Sequence, residues 1–339
     1  MKLEKLSTTV VGSFPLENTE ENFLKTIDDQ INIGIDFPCY GQLISMVDQF
    51  LDPLVDENVG LKKEEGKYII SDSFKIPKEP IALKYGKSML NYLNEKPYLK
   101  SMIKGTKACL TGPFTLASEI ILTQDVAKGL KPRIFKEPRA IMVDWLVNKL
   151  AEMMGQIGKV YNDMGIDIIS MDEPILGLLV GRRIMFHSKD FIIRTLNTAI
   201  SGIEKVSSIH VCGNLSPNLR DLLLETNVNV LDHEFQTNAR NFDIFEREHF
   251  QNSEKYLAFG AVKTKINKVK DAKINEYIED IPTIKRTIQK AINLYGKENL
   301  LIKPDCGFMP LKDAFGEKIA YEITLKKLNN MVLAVNSLK

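Results

Sequence analysis

A histidine and a cysteine stand two residues apart at the end of the apolar run Ile209-His210-Val211-Cys212, with Gly213 and Asn214 behind them. If that run is a strand, its side chains alternate with period two and His210 and Cys212 share a face. Imidazole nitrogen and thiolate sulfur are common ligands of Zn²⁺, so the pair reads as half of a tetrahedral site. Two later runs end in the same manner. Val228-Asn229-Val230-Leu231-Asp232-His233-Glu234 puts Asp232 and Glu234 on one face and His233 on the other, and Leu300-Leu301-Ile302-Lys303-Pro304-Asp305-Cys306-Gly307 ends in a second cysteine. His210, Cys212, Glu234 and Cys306 would together make a closed site of nitrogen, sulfur and oxygen donors. Strand ends that converge on one point describe the C-terminal rim of a parallel barrel, where such barrels keep their chemistry.

The elements needed to position these residues are legible along the chain. Apolar β-rich runs alternate with amphipathic stretches: Thr8–Gly12, Ile33–Phe37, Lys107–Leu110, Ile166–Met171, Ser207–Val211, Val228–Leu231, Tyr256–Val262 and Asn299–Lys303 read as eight strands. Helical spacing appears at Phe23, Ile27 and Ile31, over about Glu137 to Met164, and at Ser188–Lys205 and Ile284–Leu294. Eight strands alternating with helices predict an α/β fold, a (β/α)₈ or TIM barrel, with the metal site at the C-terminal ends of its strands. The expected organisation is one domain over residues 1–339, interrupted at about 43–106 by a charged, proline-dotted excursion read as an extended loop with short elements.

Composition narrows the function classes. Of 339 residues, 44% are hydrophobic and 26% charged, as in ordinary globular proteins. Lysine and arginine number 45 against 44 acidic residues, a net charge of +1, so neither a nucleic-acid nor a membrane-surface footprint is expected. No apolar run approaches the roughly 18 to 20 residues of a membrane span, and the N-terminus lacks a secretory apolar region, which points to the cytoplasm. Cys39, Cys109, Cys212 and Cys306 are expected as thiols rather than disulfides, with Cys109 a small buried apolar residue. No Cys-x-x-Cys pair occurs.

Five stretches carry a family resemblance: Thr8-Thr9-Val10-Val11-Gly12-Ser13-Phe14-Pro15, Leu110-Thr111-Gly112-Pro113, Met171-Asp172-Glu173-Pro174, His210-Val211-Cys212 and Pro304-Asp305-Cys306-Gly307. Together they resemble the catalytic barrel of cobalamin-independent methionine synthases, in the short archaeal-type form without an N-terminal folate-binding barrel. The stretches Leu231–Phe235 and Gly260–Lys265 are similar to that form as well. The resemblance implies a zinc-dependent transfer of a methyl group to homocysteine. It implies His210, Cys212, Glu234 and Cys306 as zinc ligands, Ser13 beside the substrate carboxylate and Asp172 on its amino group. Gln42 stands where the long enzymes have a glutamate, one negative charge fewer at the amino-group site. Lys265 stands where they carry a histidine proposed to handle protons near the donor.

Free thiols ionise near pH ~8.5, so a metal that deprotonates the acceptor sulfur suits the transfer. The expected donor is methylcobalamin or a methylated corrinoid protein, a substrate or partner rather than a resident group. Alternative acceptors are coenzyme M and selenohomocysteine, which Asp172 helps to separate because coenzyme M has no ammonium group. A non-catalytic zinc- or corrinoid-protein-binding subunit and a decarboxylase-type barrel are further alternatives. His233 reads as structural, His187 and His249 as surface residues, and Lys263 and Lys265 can equally be solvated charges. Asp172-Glu173-Pro174 can likewise be a cap of the following helix.

Overall fold

The structure, a computed structural model, describes residues 2–132 and 134–339. Ten strands are named in chain order: β1 (Ser7–Thr8), β2 (Leu61–Glu64), β3 (Lys67–Ile70), β4 (Lys107–Thr111), β5 (Ile120–Leu122), β6 (Ile168–Asp172), β7 (Val206–Val211), β8 (Val230–His233), β9 (Tyr256–Val262) and β10 (Leu300–Pro304). Seven of them form one curled parallel sheet in the order β1-β10-β9-β8-β7-β6-β4. Parallel neighbours need crossovers, and helices supply them: Asp144–Asp163 before β6, Lys189–Ala199 before β7, Pro217–Leu224 before β8, Arg247–Ser253 before β9 and Ile281–Tyr295 before β10. Each buries one apolar stripe. In Asp144–Asp163 the stripe is Leu146, Leu150, Met153, Ile157 and Tyr161.

The two edges of the sheet, β1 and β4, both meet the short stretch around Phe37 and Cys39. Thr9 bridges Phe37 and Cys39 bridges Lys107, each in the parallel sense. The strand expected at Ile33–Phe37 is otherwise not there. Ile33 ends the helix Glu20–Ile33, which Gly34 caps at φ 92°, its N–H donating to Gln30 and Ile31. Pro38 then lacks the N–H that a longer ladder would use, which leaves pairing at single residues.

At the N-terminal ends of the strands Leu3, Phe37, Ile168, Val206, Val230, Ala258 and Leu301 pack as a separate small apolar cluster. Further along the same faces the alternation brings in Ser170 and Asp172 on β6, Ser208 and His210 on β7, Asp232 on β8 and Lys303 on β10. The sheet interior is thus apolar at one end and polar towards the other.

The stretch 43–106 is more regular than the extended loop expected. It holds the helices Asp48–Asp56 and Lys84–Glu95 and the antiparallel hairpin β2–β3, whose second strand pairs with β5 in a three-stranded sheet. Glu65 and Gly66 sit at φ 48° and 75°, the double left-handed turn that matches strand twist in a two-residue hairpin. Lys63 fastens the hairpin to the preceding helix through Asp48 and Asp52.

Glu173 shows how the strand ends are held. Its buried carboxylate accepts hydrogen bonds from Phe114 N (2.9 Å), Thr115 N (2.8 Å) and Thr115 Oγ1 (2.6 Å), at the first turn of the helix Pro113–Glu119. It therefore caps a helix entered from β4, not the one that follows it. Burial, the largest influence, lifts its pKa to about 7. Glu173→Ala removes the cap and leaves buried donors unpaired, and is expected to lower stability by about 2 kcal/mol. An unchanged urea midpoint would contradict this role.

Candidate active site

His210 and Cys212 leave the end of β7, and Cys306 follows β10. Their ligand atoms, one from each side chain, all lie within 4.8 Å of one another. Cys306 Sγ is 3.5 Å from His210 Nε2. The other ring nitrogen, Nδ1, is 2.6 Å from Asp232 Oδ1, so the carboxylate fixes the ring with Nε2 towards the cysteines. The fourth expected ligand, Glu234, lies beside this trio rather than within it. Its Oε1 accepts from Gly213 N at 2.8 Å and from Asn238 Nδ2, while its charge is felt at Cys212.

Asp232 ties this centre to the sheet interior. It is buried completely and lies 2.6 Å from Lys303 Nζ and 3.6 Å from Lys107 Nζ, both buried too. Burial alone would raise its pKa, but Lys303, His210 and Lys107 hold it well below the usual carboxylate range. Burial likewise works against a charged His210, yet Asp232 outweighs it and the imidazole rises to about 10. A cation at Nε2 would have to displace any proton held there. Cys212 is lowered by its hydrogen bond with Cys306, while Cys306 is raised by the same bond and by burial. The two sulfurs and the imidazole are donor types that zinc and related cations take.

Asp172 is the end residue of β6 and pairs in register with His210. Its Oδ1 is buried and, among the described residues, has no hydrogen-bond partner. Burial lifts its pKa to about 6, against the opposing pull of His210 and Lys107. Ser13 and Gln42 form a parallel bridge with one another, and Phe14 N donates to Gln42 O at 3.2 Å. The Gln42 amide donates to Gln49 Oε1. Ser13 also meets the loop that carries Cys306: Phe308 N donates to its carbonyl, and a Cβ on Gly307 would fall 1.9 Å from Ser13 Oγ, so only glycine fits there. Lys265 is exposed and lies elsewhere, along a cleft of about 530 Å³ with Gln236, Lys263 and Glu279.

Residues 137–337 match the family described as cobalamin-independent synthase, catalytic domain. The chain belongs to that family of enzymes. The methionine synthases of Methanocaldococcus jannaschii and Methanothermobacter thermautotrophicus are each 29% identical to it, over 98% and 97% of this chain and 99% of theirs. Among solved structures, a B12-independent methionine synthase from a Shewanella species superposes with a TM-score of 0.66 at 17% identity over 98% of both chains. A methyltransferase from Methanosarcina mazei gives 0.64 at 12% identity, over 99% of this chain and 95% of that one. The resemblance read from five strand ends is therefore borne out, and the solved structures support the fold.

Within this family member His187 sits where sequence reasoning did not put it, while His233, Cys39 and Cys109 are as expected. His187 is not a surface residue: its ring is buried, with Nδ1 3.0 Å from Asp144 Oδ1, Nε2 2.6 Å from Ile141 O and Phe191 stacked on it at 4.5 Å. Polar neighbours in sequence say nothing of the helix that covers it. His249 is half-buried and accepts from Glu246 N. His233, the last residue of β8, is buried against Phe245, and burial lowers its pKa to about 4. Cys39 and Cys109 are buried thiols 3.5 Å apart. Lys107 and Lys303 were not singled out, although a lysine inside an otherwise apolar strand run is the signal that marks them. Among the described residues no helix is long and apolar enough to cross a membrane.

Asp172 makes a pH dependence testable. A carboxyl raised from 3.8 to about 6 holds more protons in the folded than in the unfolded state between those pH values. Metal-free protein is therefore expected to lose stability as pH rises from about 4 to about 6. Asp172→Asn is expected to flatten that slope and to gain on the order of 1–3 kcal/mol at pH 7. Urea unfolding across that range reads both; an unaltered slope in the variant would count against the raised carboxyl.

Proposed function

We propose that this chain forms methionine by transferring a methyl group to the sulfur of homocysteine, at a zinc ion held by His210, Cys212, Glu234 and Cys306. The seven-stranded sheet together with the stretch at Phe37–Cys39 would then stand as a closed (β/α)₈ barrel in one catalytic domain, with the zinc site at the C-terminal ends of its strands. The single observation that carries the choice of acceptor is the buried, unpartnered Oδ1 of Asp172, on the strand beside His210. A buried carboxylate oxygen without a donor is costly unless a ligand supplies one. An α-ammonium group does so, whereas coenzyme M has none to offer.

Two thiolates, one imidazole and one carboxylate suit zinc by donor type. Bound there, zinc would hold the acceptor sulfur as a thiolate at neutral pH. The chain's own residues orient the rest. Asp232 keeps His210 Nε2 towards the cysteines, Asp172 takes the ammonium group with Gln42 on the same side, and Ser13 lies beside the amino-acid carboxylate. Orientation of this kind can account for much of a barrier reduction. The proposed donor is methylcobalamin or a methylated corrinoid protein: a sulfur lone pair forms the new C–S bond while the Co–C bond breaks and leaves its electron pair on cobalt. Lys265 is proposed to serve on the donor side, where its exposed ammonium can meet an incoming substrate.

The test is a methyl-transfer assay on zinc-loaded protein with homocysteine as acceptor and methylcobalamin and methyltetrahydrofolate as competing donors. Methionine from methylcobalamin is expected. Methionine from the folate alone would move the donor, and none from either would overturn the acceptor. Asp172→Asn is expected to raise the KM for homocysteine at least tenfold, the loss of one charge-assisted contact. Cys306→Ser is expected to lose zinc and activity while its circular dichroism stays that of the parent; retained zinc with full activity would remove Cys306 from the site.

A further inference from the structure

Three of the four proposed ligands sit on separate rim loops, and loops on a rim have no ladder to fix their spacing. Two buried side chains fasten these loops to one another. Asp305, the residue before Cys306, turns its carboxylate to the loop that follows Glu234. Its Oδ1 accepts from Phe235 N at 2.9 Å and Gln236 N at 3.0 Å, and its Oδ2 from Thr237 N at 2.6 Å and Thr237 Oγ1 at 2.8 Å. Successive N–H groups converging on an anion make a nest, and both oxygens are fully used. Asn241 joins the loop after Cys212 to the same stretch. Its Nδ2 donates to Gly213 O at 2.9 Å and Glu234 O at 2.7 Å, and its Oδ1 accepts from Leu215 N at 3.0 Å.

Both anchors are built in. Asp305 and Asn241 have no exposed surface. The backbone N–H of Asp305 donates to Val262 O, and Lys303 Nζ donates to its carbonyl at 2.8 Å. A Cβ on Gly260 would fall 2.2 Å from Asp305 Oδ1, so glycine at that position makes room for the carboxylate. Cys212 and Glu234 are each no more than one residue from an atom that Asn241 holds, Glu234 is also next to Phe235, whose N–H Asp305 holds, and Cys306 follows Asp305 itself.

We propose that Asp305 and Asn241 are positioning residues that pre-set the separation of Cys212, Glu234 and Cys306 for a metal ion. This rests on the reading of those residues, with His210, as a metal site. The Asp305 carboxylate accepts four hydrogen bonds and both N–H groups and the oxygen of the Asn241 amide are engaged by backbone, so both side chains are committed to the loops. Their contribution is the ordering of three loops before the ion arrives, an entropy that binding would otherwise have to supply. An amide at position 305 would turn N–H groups against the nest donors, and alanine at 241 would release Gly213 and Glu234 together.

Zinc dissociation constants are read on the whole chain, stripped of metal and titrated against a chromophoric chelator, with Co²⁺ absorption reporting ligand geometry. Asp305→Asn and Asn241→Ala are each expected to weaken zinc by about 10- to 100-fold. Leu54→Ala, a core change in the helix Asp48–Asp56, is expected to lower the melting temperature without moving the zinc constant. If Asp305→Asn does not fold, Thr237→Val, which removes one of the four bonds, and Gly260→Ala, which crowds Oδ1, are expected to weaken zinc in the same direction. Wild-type affinity and an unchanged Co²⁺ spectrum in these folded variants would overturn the proposal while leaving the metal site in place. Failure of the parent protein to bind zinc or cobalt would overturn the metal site itself, and the positioning role with it.

Discussion

Asp232 is a carboxylate with no exposed surface, set between two lysines and a histidine in the interior of a parallel sheet. Such a charge is tolerated only while its partners remain, since removing one leaves an uncompensated ion in a medium of low polarity. Four strands meet through it: β8 carries it, β7 carries His210, β10 carries Lys303 and β4 carries Lys107. The register that brings those side chains together is the register that brings His210 beside Cys306. Packing of the interior and orientation of the site are therefore one arrangement rather than two.

Around that interaction the structure separates polar from apolar along the strands. Apolar residues fill most of the N-terminal end, and the buried charges lie towards the other end except Lys107, which starts at the first residue of β4 and reaches Asp232. Asp172 and Glu173 illustrate the division within two adjacent residues. Glu173 turns outward, spends its oxygens on a neighbouring helix terminus and contributes rigidity. Asp172 turns inward and keeps an oxygen unpaired, which costs stability.

The same economy appears in the buried carboxylates that are not offered to a ligand. Asp305 has both oxygens saturated by backbone and hydroxyl donors, and Asp232 is neutralised by cations. A carboxylate's function in this protein is thus read from what its oxygens already hold. Asp232 Oδ2 also lacks a hydrogen bond but faces Lys107 Nζ at 3.6 Å, whereas Asp172 Oδ1 has neither a hydrogen bond nor an ion pair among the described residues.

Period-two alternation placed His210 with Cys212 and Asp232 with Glu234 before any coordinates, because the side-chain direction of a strand is a local property of the backbone. Strand ends, crossovers and the family were legible for the same reason: apolar runs, turn residues and the stretches around His210 and Cys306 are contiguous in the chain. The hairpin at Leu61–Ile70 was legible in principle from Glu65-Gly66 but was hidden by charge on its exposed face. The helix expected to run into a strand at Ile33 needed the left-handed cap at Gly34 to be weighed against β-propensity. What no local pattern contains is which distant group each side chain meets. That Glu173 reaches Thr115, that His187 meets the carbonyl of Ile141, and that Asp305 gathers the N–H groups of residues 235–237 follow from sheet register and loop packing across tens of residues. Sequence determined the residue types and the faces they occupy; tertiary structure decided their partners, because hydrogen bonds and burial act between neighbours in space and not along the chain.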